Sequence, residues 1–122
     1  MQFGALCFNR TTEETILMVM APKSDHTSLD DFLDKAFACL DSDPEFCDNW
    51  QEQYRERAMS PANEDCVLYI RSRLIEGMSY RINMILPPFQ KAVHILPPVW
   101  NEKNLGVETA SEYLFIMWAT SA

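Results

Sequence analysis

The chain has 122 residues, 48% of them hydrophobic, with 18 acidic against 10 basic side chains and a net charge of -8. This length suits one domain, residues 1–122, with a core large enough to fold without metals or disulfides, and the composition excludes intrinsic disorder. The acidity excludes nonspecific binding to nucleic acid or to an anionic membrane, since both need a Lys/Arg patch.

Residues 2–8 and 15–20 are short apolar stretches around a polar loop and read as a β-hairpin. Pro22 and the polar run 23–27 end that pattern. Ser28 followed by Asp31 makes a helix N-cap, and Leu29, Phe32, Leu33, Ala36, Phe37 and Leu40 recur at steps of three and four. One stripe of that helix faces a core while Asp30, Asp31, Asp34 and Lys35 face water. Asp43 and Pro44 open a second helix over residues 44–59, carried by Cys47, Trp50, Tyr54 and Ala58, with a strand as the alternative reading of 50–59.

Beyond Ser60-Pro61 the period changes to two. Cys66, Leu68, Ile70 and Leu74 share one face, Val67, Tyr69, Arg71 and Arg73 the other. Glu76-Gly77 supplies a turn before Met78, Tyr80, Ile82, Met84 and Leu86 alternate, which predicts a second hairpin. Residues 91–96, between two Pro-Pro pairs, make a further strand. Thr109 and Glu112 form a capping box ahead of Tyr113, Leu114, Met117 and Trp118, predicting a C-terminal helix, with a buried final strand as its rival. The order implies an α+β domain: an antiparallel sheet of about five strands, a helix pair on one face and a C-terminal helix.

The charge is uneven. Residues 25–52 hold nine acids and one base, Lys35, so this segment carries the whole net charge. Asp30, Asp31, Asp34, Asp41, Glu45 and Asp48 form an acidic face that serves either solubility or docking of a basic protein partner. Met78 and Met84, on the predicted sheet, join it as candidate partner-binding residues, because flexible thioethers make adaptable surfaces as well as core filler. Arg71, Arg73 and Arg81 form a small basic cluster better suited to pairing with nearby acids than to base stacking.

Motifs that name a reaction are missing. Asp30-Asp31-Phe32-Leu33-Asp34 copies a D-D-x-x-D magnesium string, but no second acidic motif accompanies it, and a solvated face is the simpler account. His26 reads as a surface loop residue and His94 as a structural histidine in a strand. Together with Cys66, His94 is the one pair that a small cysteine enzyme would use. The glycines Gly4, Gly77 and Gly106 build no phosphate loop or nucleophile elbow. No metal spacing and no cofactor motif occur. The four cysteines read as buried, free thiols. With no export signal visible and no apolar run near the ~20 residues that span a bilayer, the expected location is cytoplasmic.

The segment 29–98 resembles the DcrB-like chaperones associated with type VI secretion effectors. The resemblance lies in Leu29-Asp30-Asp31-Phe32-Leu33, in Val67-Leu68-Tyr69-Ile70-Arg71-Ser72-Arg73, in Glu76-Gly77, in Tyr80-Arg81-Ile82-Asn83-Met84-Ile85 and in Ala92-Val93-His94-Ile95. It implies a non-enzymatic chaperone, often a homodimer, that shields effector segments on its sheet. The combined expectation is a protein-binding module, an immunity protein or a chaperone/adaptor masking a bacterial effector. The alternative is an acidic phage-type inhibitor of a nucleic-acid-binding defence protein.

Overall fold

The computed structural model describes residues 4–11, 14–78 and 86–121, the first of these segments by its backbone alone. Strands β1 (Gly4–Thr11) and β2 (Glu14–Pro22) form the expected hairpin, with Gly4 opposite Met20 and an irregularity between Asn9 and Thr11. A 3-10 turn over Lys23–Asp25 leads into helix α1 (Leu29–Ser42), capped as the sequence predicts: the Ser28 hydroxyl accepts from Asp31 N at 3.0 Å. All six apolar residues of its stripe are buried.

The second helix is far shorter than the reading of 44–59. Residues 44–46 are a turn, Asn49 takes a left-handed backbone (φ 56°), and only α2 (Trp50–Gln53) is helical. Trp50 and Tyr54 supply one buried turn, whereas Arg55, Glu56 and Ala58 are exposed, so a longer helix would have nothing further to bury. A two-residue edge strand follows, β3 (Ser60–Pro61).

The largest correction concerns residues 66–78, read as a strand and a turn. They belong to helix α3 (Glu64–Met78), with Asn63 Oδ1 accepting from Cys66 N at 2.8 Å. Steps of four are also steps of two, so Cys66, Ile70, Leu74 and Met78 line one face of a strand or of a helix equally well. Leu68, placed on the same strand face, is in fact exposed. Of the partner strand predicted over 78–86, Met78 is helical and Leu86 belongs to no strand, while residues 79–85, Met84 included, lie outside the described residues.

Three strands complete the chain: β4 (Lys91–His94), β5 (Glu102–Glu108) and β6 (Glu112–Thr120). The predicted C-terminal helix is therefore a strand, and β5 was not foreseen. The sheet is antiparallel throughout, in the order β1-β2-β6-β5-β4-β3, so five strands of four to nine residues are extended at one edge by the short β3. The last strand thus sits in the middle, with Glu14 to Pro22 on one side and Glu102 to Glu108 on the other.

Helices α1 and α2 pair on one face of the sheet as expected, and the unforeseen α3 covers the other. Leu17, Val19, Phe115 and Ile95 pack with Leu33, Phe37, Trp50 and Tyr54 from α1 and α2. Ile16, Met18, Leu105, Leu114 and Ile116 pack with Ile70, Leu74 and Met78 of α3. Gly106 lets α1 come close to β5: a Cβ there would meet Leu29 Cδ2 at 3.3 Å, Ile95 Cγ2 at 3.4 Å and Leu33 Cδ1 at 3.5 Å. Tyr54 donates to Asn104 Oδ1 in the buried interior of the same layer. No described helix is long and apolar enough to cross a membrane. Cys39 and Cys47 are exposed and Cys66 is half-buried, all three as free thiols, so for these three the expectation of free cysteines holds and that of burial fails. Cys39 lies off the apolar stripe of α1, and Cys47 lies in the polar loop before α2.

Phe115 is fully buried and meets Phe37, Trp50 and Tyr54 edge-on at 5.0, 6.0 and 5.5 Å. Phe115→Ala should therefore remove about 3–5 kcal/mol of a total stability of about 5–15 kcal/mol. Urea unfolding should show a lower midpoint at unchanged slope.

Candidate functional site

The acidic residues form less of a face than their number implies. Asp30 and Asp34 are exposed on α1, but Arg57 lies across both: its Nε donates to Asp30 Oδ1 at 2.9 Å and its NH2 to Asp34 Oδ1 at 2.6 Å. Arg57 also donates to Tyr54 O at 3.0 Å and stands 6.0 Å over the Phe37 ring. Burial alone would weaken its charged form, but the hydrogen bonds and charges of Asp34 and Asp30 outweigh this and hold its pKa above the ordinary value. Asp31 accepts from Thr27 N at 3.1 Å and from Lys35 Nζ at 3.2 Å, and both bonds hold its carboxyl below the usual range. His26 Nδ1 lies 3.6 Å from the same carboxylate, and the ring is buried against Phe32 and Tyr113 instead of sitting at the surface.

Asp41 is a structural latch. Its carboxylate accepts from Trp50 N at 2.6 Å, Gln51 N at 3.0 Å and Gln51 Nε2 at 3.1 Å. It lies eleven residues from Asp30, about 16 Å along the helix axis. Glu45 and Asp48 are exposed, with no ion pair among the described residues. Asp30 and Asp34 thus share Arg57, Asp31 is held separately by Thr27 and Lys35, and Asp41 lies in the last turn of α1 with Glu45 and Asp48 in the segment after it. Met78 is buried in the core under α3, and Met84 lies outside the described residues. Asp41→Ala removes the acceptor of the first two amides of α2, which acts as a remote cap, and should cost about 1 kcal/mol in thermal or denaturant unfolding.

The exposed apolar surface lies on the opposite side. All the large apolar side chains exposed among the described residues, Leu68 (55%), Tyr69 (47%), Ile75, Val99 (51%) and Trp100 (71%), belong to α3 or to the tip of the β4–β5 hairpin. At that tip Val99 and Glu102 exchange backbone hydrogen bonds at 3.2 and 3.3 Å, which turns Trp100 and Asn101 outward; Lys103 Nζ donates to Val99 O. Pro97 and Pro98 before it are exposed.

A cleft of about 400 Å³ runs between the hairpin tip and α3, lined by Asn63, Asp65, Cys66, Tyr69, Ile70, Trp100, Lys103 and Trp118. Tyr69 meets Trp118 edge-on at 5.8 Å, and the Arg73 guanidinium stands 5.5 Å over the Tyr69 ring. Trp118 is 6% exposed and its Nε1 has no acceptor among the described residues. On the other flank of α3 a groove of about 460 Å³ is lined by Leu68, Val67, Arg71, Phe89 and Ala92 among others. Arg71 fixes that flank by donating to Leu86 O at 2.6 Å and Pro87 O at 3.1 Å while standing 5.2 Å over Phe89. A helical reading of 64–78 would have shown Leu68 and Ile75, seven residues apart, on the side away from Ile70 and Leu74.

Cys66 and His94 both feel the charge of Lys103. Burial raises the Cys66 thiol above its ordinary 9.0, with Lys103 only partly opposing it, so the sulfur is protonated at neutral pH and is not an activated nucleophile. Burial, and then Lys103, hold His94 below 6.5, and its Nδ1 has no partner among the described residues. Nor do the described residues bring together three or more His, Cys, Asp or Glu side chains in a group that would hold a metal.

A histidine kept neutral by the fold adds stability that is complete above its ordinary pKa. That stability is lost as the pH falls from 6.5 toward the lower folded value, because the unfolded chain takes up the proton first. Unfolding free energy should therefore fall across this window, and less steeply in His94→Leu than in the parent chain.

No family model, curated protein or solved structure matches this chain.

Proposed function

We propose that the chain is a non-enzymatic protein-binding module, an immunity protein or chaperone/adaptor that masks an effector. It grips its partner with α3 and the β4–β5 tip. One observation carries the reading: the exposed large apolar side chains are concentrated on this face, with Trp100 at 71% exposure, and contiguous exposed apolar surface marks interaction sites. Aromatic residues at the centre of such a face are the common anchors of binding energy. Burial raises the Cys66 thiol above its ordinary value, which favours this reading over a cysteine enzyme.

The acidic-inhibitor alternative needs carboxylates free to imitate phosphates. Of the six proposed, Asp30, Asp31 and Asp34 are occupied by Arg57 and Lys35, and Asp41 by α2. Only Glu45 and Asp48 remain for it, so the apolar face is the better supported one.

Two variants separate the faces once a partner has been captured from the native host and identified. Leu68→Ser with Trp100→Ser should weaken binding about tenfold or more, as anchor residues do. Asp30→Lys with Asp34→Lys should leave the affinity within a few-fold. The reverse pattern would return the docking face to α1, and a partner that is a nuclease complex would favour the inhibitor.

A further inference from the structure

Helix α3 carries two stripes, and only one of them faces the sheet. Ile70, Leu74 and Met78 pack inward. Glu64, Leu68, Arg71 and Ile75 form the second stripe, roughly a quarter turn further round, where Leu68 and Ile75 are 55% and 41% exposed. Their spacing runs in steps of four, three and four. That is the seam along which a second helix packs, since two helices in continuous contact repeat every 3.5 residues or so. Beside the seam lies the groove of about 460 Å³, with Pro88, Phe89 and Ala92 on its far wall.

The charge in this groove is not balanced by the fold. Of the arginines whose side chains are described, Arg55, Arg57 and Arg73 each meet a carboxylate within 3.3 Å. Arg71 meets none among the described residues. Its NH2 donates to Leu86 O and Pro87 O, both uncharged, and the hydrogens on Nε and NH1 make no hydrogen bond among the described residues. Lys91, also in the wall, has its Nζ 3.8 Å from Glu108 Oε2. Glu64 closes the end of the groove at the first turn of α3, about 10 Å along the axis from Arg71.

We propose that the groove takes an amphipathic helix of the partner protein, laid along α3, whose apolar stripe covers Leu68 and Ile75 and is interrupted by one carboxylate that pairs with Arg71. The proposal rests on the reading of α3 as part of the binding face and names the chemistry of what that face grips. The planar fork of a guanidinium suits a carboxylate, and one polar pair in an apolar seam fixes the register of two helices. Glu64 repels an acid at the other end, so the carboxylate belongs opposite Arg71 alone. The preference runs against the chain as a whole: a net charge of -8 disfavours acidic partners, so taste for an acid has to come from a local cation.

Fluorescence anisotropy of two labelled peptides, titrated with the full chain at physiological salt, tests the proposal. Both peptides are designed helices of about 20 residues, long enough to hold helical structure, with leucine along a heptad stripe. The central stripe position is Glu in one and Lys in the other. The Glu peptide should bind about tenfold or more tighter than the Lys peptide, and Arg71→Glu should reverse the order. Because Arg71 also holds Leu86 and Pro87, circular dichroism melting checks that this variant folds. Leu68→Glu touches none of those bonds and serves as the second variant: it should weaken the Glu peptide about tenfold and the Lys peptide less. A Glu peptide with proline at its centre, which breaks the helix, should lose about tenfold.

A Lys peptide that binds as well as the Glu peptide, or a preference unchanged in both variants, overturns the carboxylate. A proline peptide that binds as well as its parent overturns the helix. Charged peptides that bind alike and lose their binding in Leu68→Ser would leave α3 as the binding face with an occupant of different chemistry. Binding of neither peptide overturns the helical occupant, and the affinity of the captured partner for Leu68→Ser with Trp100→Ser then judges the face by itself.

Discussion

The fold depends on the burial of β6 on both of its faces. Leu114, Phe115 and Ile116 are inaccessible to solvent, and the strand is hydrogen-bonded along its length to β2 on one side and β5 on the other. Without it the N-terminal hairpin and the β3–β4–β5 half of the sheet would share no edge. A central strand supplied by the last residues of a chain makes long-range contacts whose loop-closure entropy must be recovered by apolar burial. That is why its two faces are filled by different helices: α1 brings Phe32, Phe37 and Leu33, and α3 brings Ile70, Leu74 and Met78. Gly106 on the neighbouring strand gives α1 the room to descend.

Around this core the acidic residues act mostly inside the molecule. The segment between α1 and β3 has few apolar side chains to hold it, and carboxylates from α1 do much of that work. Asp41 captures the amides at the start of α2, and Asp30 with Asp34 captures Arg57, which in turn covers Phe37. Trp50 and Tyr54 are thereby set in a stack, 5.9 Å apart and 10° from parallel, with Tyr54 on Phe37 at 4.5 Å. Individually, exposed ion pairs add little, but a half-buried guanidinium with two carboxylates and a backbone carbonyl fixes a geometry that a longer helix would have fixed with apolar contacts.

What the sequence discloses follows from how unambiguous each period is. The α1 stripe uses steps of three as well as four, which no strand matches, and its Ser28 cap is local, so the helix was legible with its boundary. In α3 the buried large side chains Ile70, Leu74 and Met78 recur at steps of four, and a run rich in Val, Leu, Tyr and Ile supplied the strand propensity that tipped the reading the wrong way. Strand β6 is apolar on both faces, so it shows no alternation at all; the Thr109 side chain does accept from Glu112 N at 3.0 Å, but it closes a turn between strands and not the first turn of a helix. Strand β5 was hidden because Lys103, Asn104 and Gly106 each answer to a tertiary need: the hairpin tip, Tyr54 and α1. The acidic cluster was legible as composition. Its occupation by Arg57, 27 residues from Asp30 and 23 from Asp34, was not.

The same error hid the exposed apolar face. Once 64–78 is a helix, its inward stripe is complete with Cys66, Ile70, Leu74 and Met78, and Leu68 and Ile75 become surplus to the core. Trp100 is surplus in the same sense, because at 71% exposure its ring gains little from folding. Exposed apolar residues of this size are tolerated singly on most surfaces, but here they lie on the layer opposite the acid-rich segment 25–52. A surface divided in this way places charge where the chain must stay in water and aromatic area where it can leave it. Tyr69 belongs to both sides of that division: its ring holds Trp118 at the edge of the core and leaves its other flank to whatever enters the cleft.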